Sequence, residues 1–140
     1  SAASDVYKRQ EIDYANTILK ETGKELKGLD GTIKPLRPTL PAQGGSTDVG
    51  DVSQVVPVVR LRTTTAAKDG PWHSWAVVAC TGMSIGHKGM IYASKALAMT
   101  MLDLYKNPKL IDGVRKEFLV RKGDRVYVPQ IPPGPPKLID

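Results

Sequence analysis

At 140 residues and 41% hydrophobic composition, the chain can bury one compact core and is too short for two. The formal charge of +6 arises from 20 Lys and Arg against 14 Asp and Glu. These basic residues are dispersed and not interleaved with aromatics, which argues against a nucleic-acid-binding module. A single cysteine, Cys80, excludes an internal disulfide framework and fits a reducing, cytoplasmic setting. No apolar run reaches the ~20 residues that span a bilayer, and there is no secretory pattern.

In chain order, residues 1–10 read as a non-native leader and are set apart from functional reasoning. Ile12, Ala15, Ile18, Leu19 and Leu26 are spaced for one helical face, with Gly28 as its stop. From 29 to 43 the chain carries Gly31, Pro35, Pro38 and Pro41 and predicts an extended connector. Residues 48–54 allow a short helical turn. Residues 55–63, rich in β-branched side chains with Pro57 near the start, predict a buried strand.

Ser84 is a candidate N-cap for a helix running to Tyr105, with Met90, Leu97, Met101 and Leu102 toward a larger layer. Asn107-Pro108 should end that helix and start the next, whose buried stripe is Leu110, Ile111, Val114 and Phe118 and whose stop is Gly123. Residues 129–140 form a proline-rich tail. The pattern predicts an α/β fold, although one strand does not make a sheet.

Four features carry chemistry. Gly44-Gly45-Ser46-Thr47 offers backbone N–H groups and two hydroxyls suited to an anion, followed by Asp48 and Asp51, either of which could instead cap a helix. The loop lacks the Lys-Ser/Thr of a phosphate-binding loop. His73, after the Gly70-Pro71 turn and between Trp72 and Trp75, is placed on a loop at a strand end. It is either a metal ligand whose ring and water access the tryptophans control, or a loop histidine bonded to backbone. His87 stands at a helix start between Gly86 and Gly89, either near an anion or as a packed structural side chain. Cys80 lies in an apolar run with no adjacent base and reads as buried and inert.

Four ordered motifs then align: Gly-Ser-Thr-Asp-Val-Gly-Asp-Val-Ser at 45–53, Val-Val-Pro at 55–57, His-Ser-Trp at 73–75 and Ser-Ile-Gly-His-Lys-Gly-Met at 84–90. Together they resemble the C-terminal end of the dinuclear-metal peptidase and amidohydrolase family of aminoacylases and carboxypeptidase G-type enzymes. The likeness is nearest to its aminobenzoyl-glutamate utilization protein B group. That resemblance implies a fragment, residues 11–128, of a catalytic domain with a central, mostly parallel sheet flanked by helices. The N-terminal half and the lid domain would lie outside the chain.

The implied activity is metal-dependent hydrolysis of an amide bond to an amino acid, with p-aminobenzoyl-glutamate as substrate and a place in folate catabolism. A non-catalytic relative that binds an acidic metabolite is the alternative. The resemblance makes His73 a metal ligand and Gly45, Ser46, Thr47 and Asp48 substrate-binding residues. Two divalent ions, zinc or manganese, would sit in the full-length site. The glutamate general base and the remaining ligands would come from outside this chain, and the fragment alone would be inactive. The expected partners are a small-molecule amide substrate and further copies of the full-length protein, with neither nucleic acid nor membrane.

Overall fold

The computed structural model describes residues 7–36, 47–129, 131 and 134–135. Five α-helices occur among them: α1 (Arg9–Glu21), α2 (Val49–Val55), α3 (Trp75–Thr81), α4 (Ser84–Lys106) and α5 (Pro108–Lys122). Two compact units are present. One comprises Ser1–Leu40 with Leu61–Leu102, and the other Pro41–Arg60 with Asp103–Asp140.

The described residues contain no strand, which corrects the expected one at 55–63. Val55 closes α2, and its Val56 cap donates back to Val52 O at 3.0 Å. Residues 57–65 follow without regular structure. β-branched residues favour a strand only when a neighbouring strand supplies the ladder and the packing. Within the described residues these have neither, and Val56, Val58, Val59 and Leu61 stay exposed. The α/β class, with its sheet, therefore narrows to a helical arrangement here.

α1 begins where Glu11 Oε2 accepts from the Lys8 backbone N–H at 2.7 Å, satisfying a free N-terminal donor. Ala15, Ile18 and Leu19 form its buried stripe, as their spacing predicted. The helix ends at Glu21, ahead of the expected stop at Gly28. Gly23, at φ +65, lets its N–H reach Lys20 O at 3.0 Å while Lys24 N–H reaches Leu19 O at 2.8 Å. That double closure is a Schellman cap. Leu26, past the cap, is exposed.

Gly28 has a different task. At φ +59 its position lies against α1, where a Cβ would stand 2.9 Å from Ile12 Cγ2. Its N–H donates to Asn16 Oδ1 at 2.8 Å. Leu29 then enters the core with Ile18, Leu19, Ala67, Ala76, Cys80 and Ile85. Tyr7, within the stretch set apart as a leader, is buried as well and donates its hydroxyl to Thr64 O at 3.3 Å.

α3 packs on α1, burying Ala76 and Cys80, and the Tyr14 hydroxyl donates to Ala79 O at 3.3 Å. Cys80 is fully buried, as the apolar run predicted. The start of α4 is drawn in by close backbone approach. A Cβ at Gly89 would lie 2.5 Å from Thr64 O, and one at Gly86 would overlap the backbone of Thr81. The two glycines of the Ser84–Met90 motif are thus steric requirements of packing.

Among the described residues Glu11 is the one buried charged side chain, 7% exposed. Its carboxylate accepts from Ser84 Oγ at 2.5 Å and from Lys88 Nζ at 2.6 Å. Lys88 Nζ also lies 5.7 Å from the Tyr7 ring centroid. Burial pushes the Glu11 carboxyl up, but the bonds from Lys88, Ser84 and the Lys8 N–H, with the Lys88 charge, hold it below its ordinary 4.5. Nearby, Asp30 is lowered from 3.8 to about 2, first by the Thr32 backbone N–H and then by the Thr32 hydroxyl; burial opposes them, and Lys34 and Lys68 add lesser lowering.

In the other unit, Asn107 and Pro108 separate α4 from α5 as predicted, and Gly123, at φ +55, closes α5 with its N–H on Leu119 O. The expected buried stripe on α5 is corrected. Leu110, Ile111 and Val114 are exposed and Phe118 is half-buried. On α4, Met90, Leu97, Met101 and Leu102 are exposed too. The proline-rich tail lies largely outside the described residues. No described helix is long and apolar enough to cross a membrane.

Both carboxylates have depressed folded-state pKa values, so the stability they add is present above their ordinary values and lost as pH falls through the depressed ones. Acid unfolding is therefore expected to set in below the ordinary 4.5 of Glu11 and to continue toward about 2, where Asp30 protonates. Glu11→Gln should cost about 2 kcal/mol at neutral pH and flatten this acid limb, since it replaces the buried carboxylate on which Ser84, Lys88 and the Lys8 N–H converge. Urea unfolding followed by circular dichroism between pH 2 and 7 checks both points. In the same assay Gly89→Ala should destabilise by about 2 kcal/mol or more, because the backbone of Thr64 cannot yield as a flexible side chain would.

Candidate functional site

His73 lies in a loop that leads into α3 and follows irregular chain, which corrects its predicted position after a strand. The loop is fastened on both sides. Lys68 N–H donates to Gly28 O at 2.8 Å, and Gly70 N–H to Ala67 O at 3.2 Å. Lys27 Nζ meets Asp69 Oδ2 at 3.0 Å and Glu25 at 3.2 Å, and those carboxylates raise the Lys27 ammonium. At the far end Ser74 Oγ donates to Pro71 O at 2.6 Å and accepts from Ala76 N–H at 3.3 Å. One hydroxyl thus closes the four-residue loop and caps α3.

Between these fixings His73 adopts φ +58 and Asp69 φ +59. They are the only non-glycine residues with positive φ among those described. The left-handed conformation costs an L-residue about 1–2 kcal/mol, so the surrounding bonds must hold it in place. His73 is solvent-exposed. Trp72 and Trp75, expected to enclose the ring and restrict water, are themselves 70% and 55% exposed and border the loop without enclosing it. Trp72 also edges a shallow apolar depression with Pro71, Ala66, Ala76, Val77 and Ile18.

Of the expected substrate loop, Gly45 and Ser46 lie outside the described residues. Thr47 and Asp48 belong to the second unit, whereas His73 belongs to the first. Thr47 Oγ1 accepts from Val49 N–H at 3.4 Å, and Thr47 O accepts from Gly50 N–H at 2.9 Å. Asp48 holds the N-cap position of α2, but its side chain makes no cap bond, so its carboxylate is not spent on the helix. Asp51 instead faces Tyr127, whose phenol is raised by burial and then by that carboxylate.

His87, read as packed or anion-facing, is exposed on α4. Glu11 is a structural residue that sequence reading did not single out. Its local sequence looks like an ordinary first-turn acid, and only the distant Ser84 and Lys88 reveal the buried pair.

A catalytic metal ion takes about three protein ligands. Among the described residues no group of three or more His, Cys, Asp and Glu side chains converges. The described residues therefore do not amount to a metal centre, and His73 among them is a single exposed donor.

Two kinds of relative share extended similarity with the chain. It is 35% identical over 89 residues to a p-aminobenzoyl-glutamate hydrolase subunit of Escherichia coli (strain K12), covering 64% of this chain and 18% of that protein. It is 38% identical over 114 residues to Xaa-Arg dipeptidase of Mus musculus, covering 76% of this chain and 26% of that one. The Homo sapiens Xaa-Arg dipeptidase is 30% identical over 89 residues, with 64% and 20% covered. The chain is a homologue of this family of amidohydrolases and peptidases. It spans only about a fifth to a quarter of the length of these relatives. No family model matches the chain, and no solved structure does.

If the loop holds His73 in the left-handed region, two substitutions there should diverge. His73→Gly gains about 1–2 kcal/mol of relieved strain against ~0.4–1 kcal/mol of added unfolded-chain entropy, so stability should stay level or rise. His73→Val, β-branched, should lose about 1–2 kcal/mol. Equal urea midpoints for the two variants would contradict the strained loop.

Proposed function

We propose that this chain is part of a longer metal-dependent amidohydrolase that hydrolyses an amide bond to an amino acid, with p-aminobenzoyl-glutamate as its substrate. The observation that carries the reading is His73, a strained and exposed imidazole on a loop tied at both ends, in a homologue of amide- and peptide-cleaving enzymes. The loop's own bonds hold that conformation and leave the imidazole in solvent, where a ligating or substrate-facing role could use it. In this reading His73 supplies one ligand to a site holding two divalent ions, zinc or manganese. Residues 45–48 would help seat the acyl or carboxylate end of the substrate, through the loop's backbone N–H groups and hydroxyls.

The general base and the remaining ligands would come from other parts of the longer protein, as would the sheet of an α/β catalytic domain. When bound, the metal would activate water toward the amide carbonyl. What His73 itself contributes is an imidazole held in place before the ion arrives. The enzyme would act in the cytoplasm, as an oligomer, on a small-molecule amide.

In the longer protein, His73→Ala should lower turnover by more than about 100-fold, beyond the loss typical of an outer-sphere partner, and should weaken one of two bound ions in a metal titration. Unchanged turnover would remove His73 from the site. The 140-residue chain alone, supplied with zinc or manganese, should release no aminobenzoate above background. Measurable release would show that the chemistry is complete within it.

A further inference from the structure

Ser74 stands between a fixed helix and an irregular loop, and its hydroxyl serves both. On the helix side it is anchored through the core. Ala76 and Cys80 bury one face of α3, Ser74 O accepts from Val77 N–H at 3.2 Å, and Ser74 Oγ accepts from Ala76 N–H at 3.3 Å. On the loop side the same Oγ donates its proton to Pro71 O at 2.6 Å. One oxygen can do both because a hydroxyl carries one donor and two acceptor lone pairs.

Trp72 and His73 span the gap between those two bonded residues. Both side chains stand largely in solvent, so the packing of their rings does not dictate the turn. The ring of Pro71 fixes φ at the entry, and Ser74 leaves it extended, at φ −137 and ψ 168. The donated proton closes the turn between them, and His73 takes φ +58 inside it. We propose that Ser74 is a positioning residue for His73, its hydroxyl proton on Pro71 O holding the left-handed backbone that presents the imidazole. The inference rests on the reading of His73 as part of an amide-cleaving site, and it names the group that sets that side chain.

Three replacements separate the loop bond from the helix cap. Thr keeps donor and acceptor, ionised Asp keeps a capping acceptor but has no proton to donate, and Ala keeps neither. In the 140-residue chain labelled with ¹³C and ¹⁵N, the intraresidue cross-peak between the His73 amide proton and Hα reports φ, since these protons approach most closely at positive φ. It should be strong in the unaltered chain and in Ser74→Thr. In Ser74→Asp it should drop to the strength seen at residues of negative φ while the α3 helical shifts persist, and Ser74→Ala should repeat the loss without an added charge. In the longer protein, Ser74→Asp should lower kcat on 4-aminobenzoyl-glutamate by up to about 100-fold with little change in KM, and Ser74→Thr should restore it.

A strong His73 cross-peak in Ser74→Asp or Ser74→Ala, or a weak one in the unaltered chain or Ser74→Thr, would overturn the proposal. So would equal turnover by the unaltered longer protein and its Ser74→Asp variant. The expected cross-peaks in a protein that hydrolyses no aminobenzoyl amide would sink the hydrolase reading instead, and leave the hold of Ser74 on the His73 backbone standing.

Discussion

The first unit depends on a single buried carboxylate. Glu11 occupies the first turn of α1, and at neutral pH its charge is tolerable inside the protein only because three donors converge on it. One is local, the Lys8 N–H, and starts the helix. The others, Ser84 and Lys88, lie 73 and 77 residues away and bring the beginning of α4 against α1. The pair specifies position more than it adds stability, since a buried ion pair largely repays its own desolvation. Remove the anion and the ammonium of Lys88 is left in a half-buried place beside the Tyr7 ring.

Once α4 is fixed at that point, small residues decide how closely the chain can come. Gly86 admits the end of α3, Gly89 admits the Thr64 backbone and the Thr65 methyl, and Gly28 admits α1. The Thr64 backbone, so placed, accepts the Tyr7 hydroxyl, while the Thr64 hydroxyl donates to Asp30 O at 2.5 Å. The segment running on from Thr64 therefore leaves a fixed origin, and Lys27, Gly28 and Ser74 fix the rest of its course. His73 is held in a strained conformation at the end of this chain of constraints. Its position follows from contacts that do not involve its ring.

The outer faces of α4 and α5 behave differently. Their apolar residues follow helical spacing, but Met90, Leu97, Met101, Leu110 and Ile111 remain in solvent. Apolar stripes without cover are unusual on a finished surface and mark places where other protein docks. A chain that spans about a fifth to a quarter of its relatives has a ready reason for such stripes. The proposal of a longer enzyme and the exposed stripes are thus mutually consistent.

The sequence by itself determined the features that local chemistry controls. Periodicity placed the stripe Ala15, Ile18 and Leu19, Asn107-Pro108 divided the last two helices, Gly123 ended α5, and the burial of Cys80 followed from its apolar neighbours. The ordered motifs also pointed to the family that the relatives confirm. Tertiary structure decided whatever needed a distant partner. β-branched residues at 55–63 did not form a strand among the described residues, because no neighbour offers a ladder. Gly28, read as the stop of α1, instead packs against Ile12 and Asn16 of that helix, while the local Gly23 cap ends it. The strain at His73 and the pairing of Glu11 with Lys88 were invisible in the sequence for the same reason. Glu11 is met by groups 73 and 77 residues away, and the His73 loop is tied to Gly28 and Lys27 as well as by its own Ser74–Pro71 bond, pairings that composition and spacing do not encode.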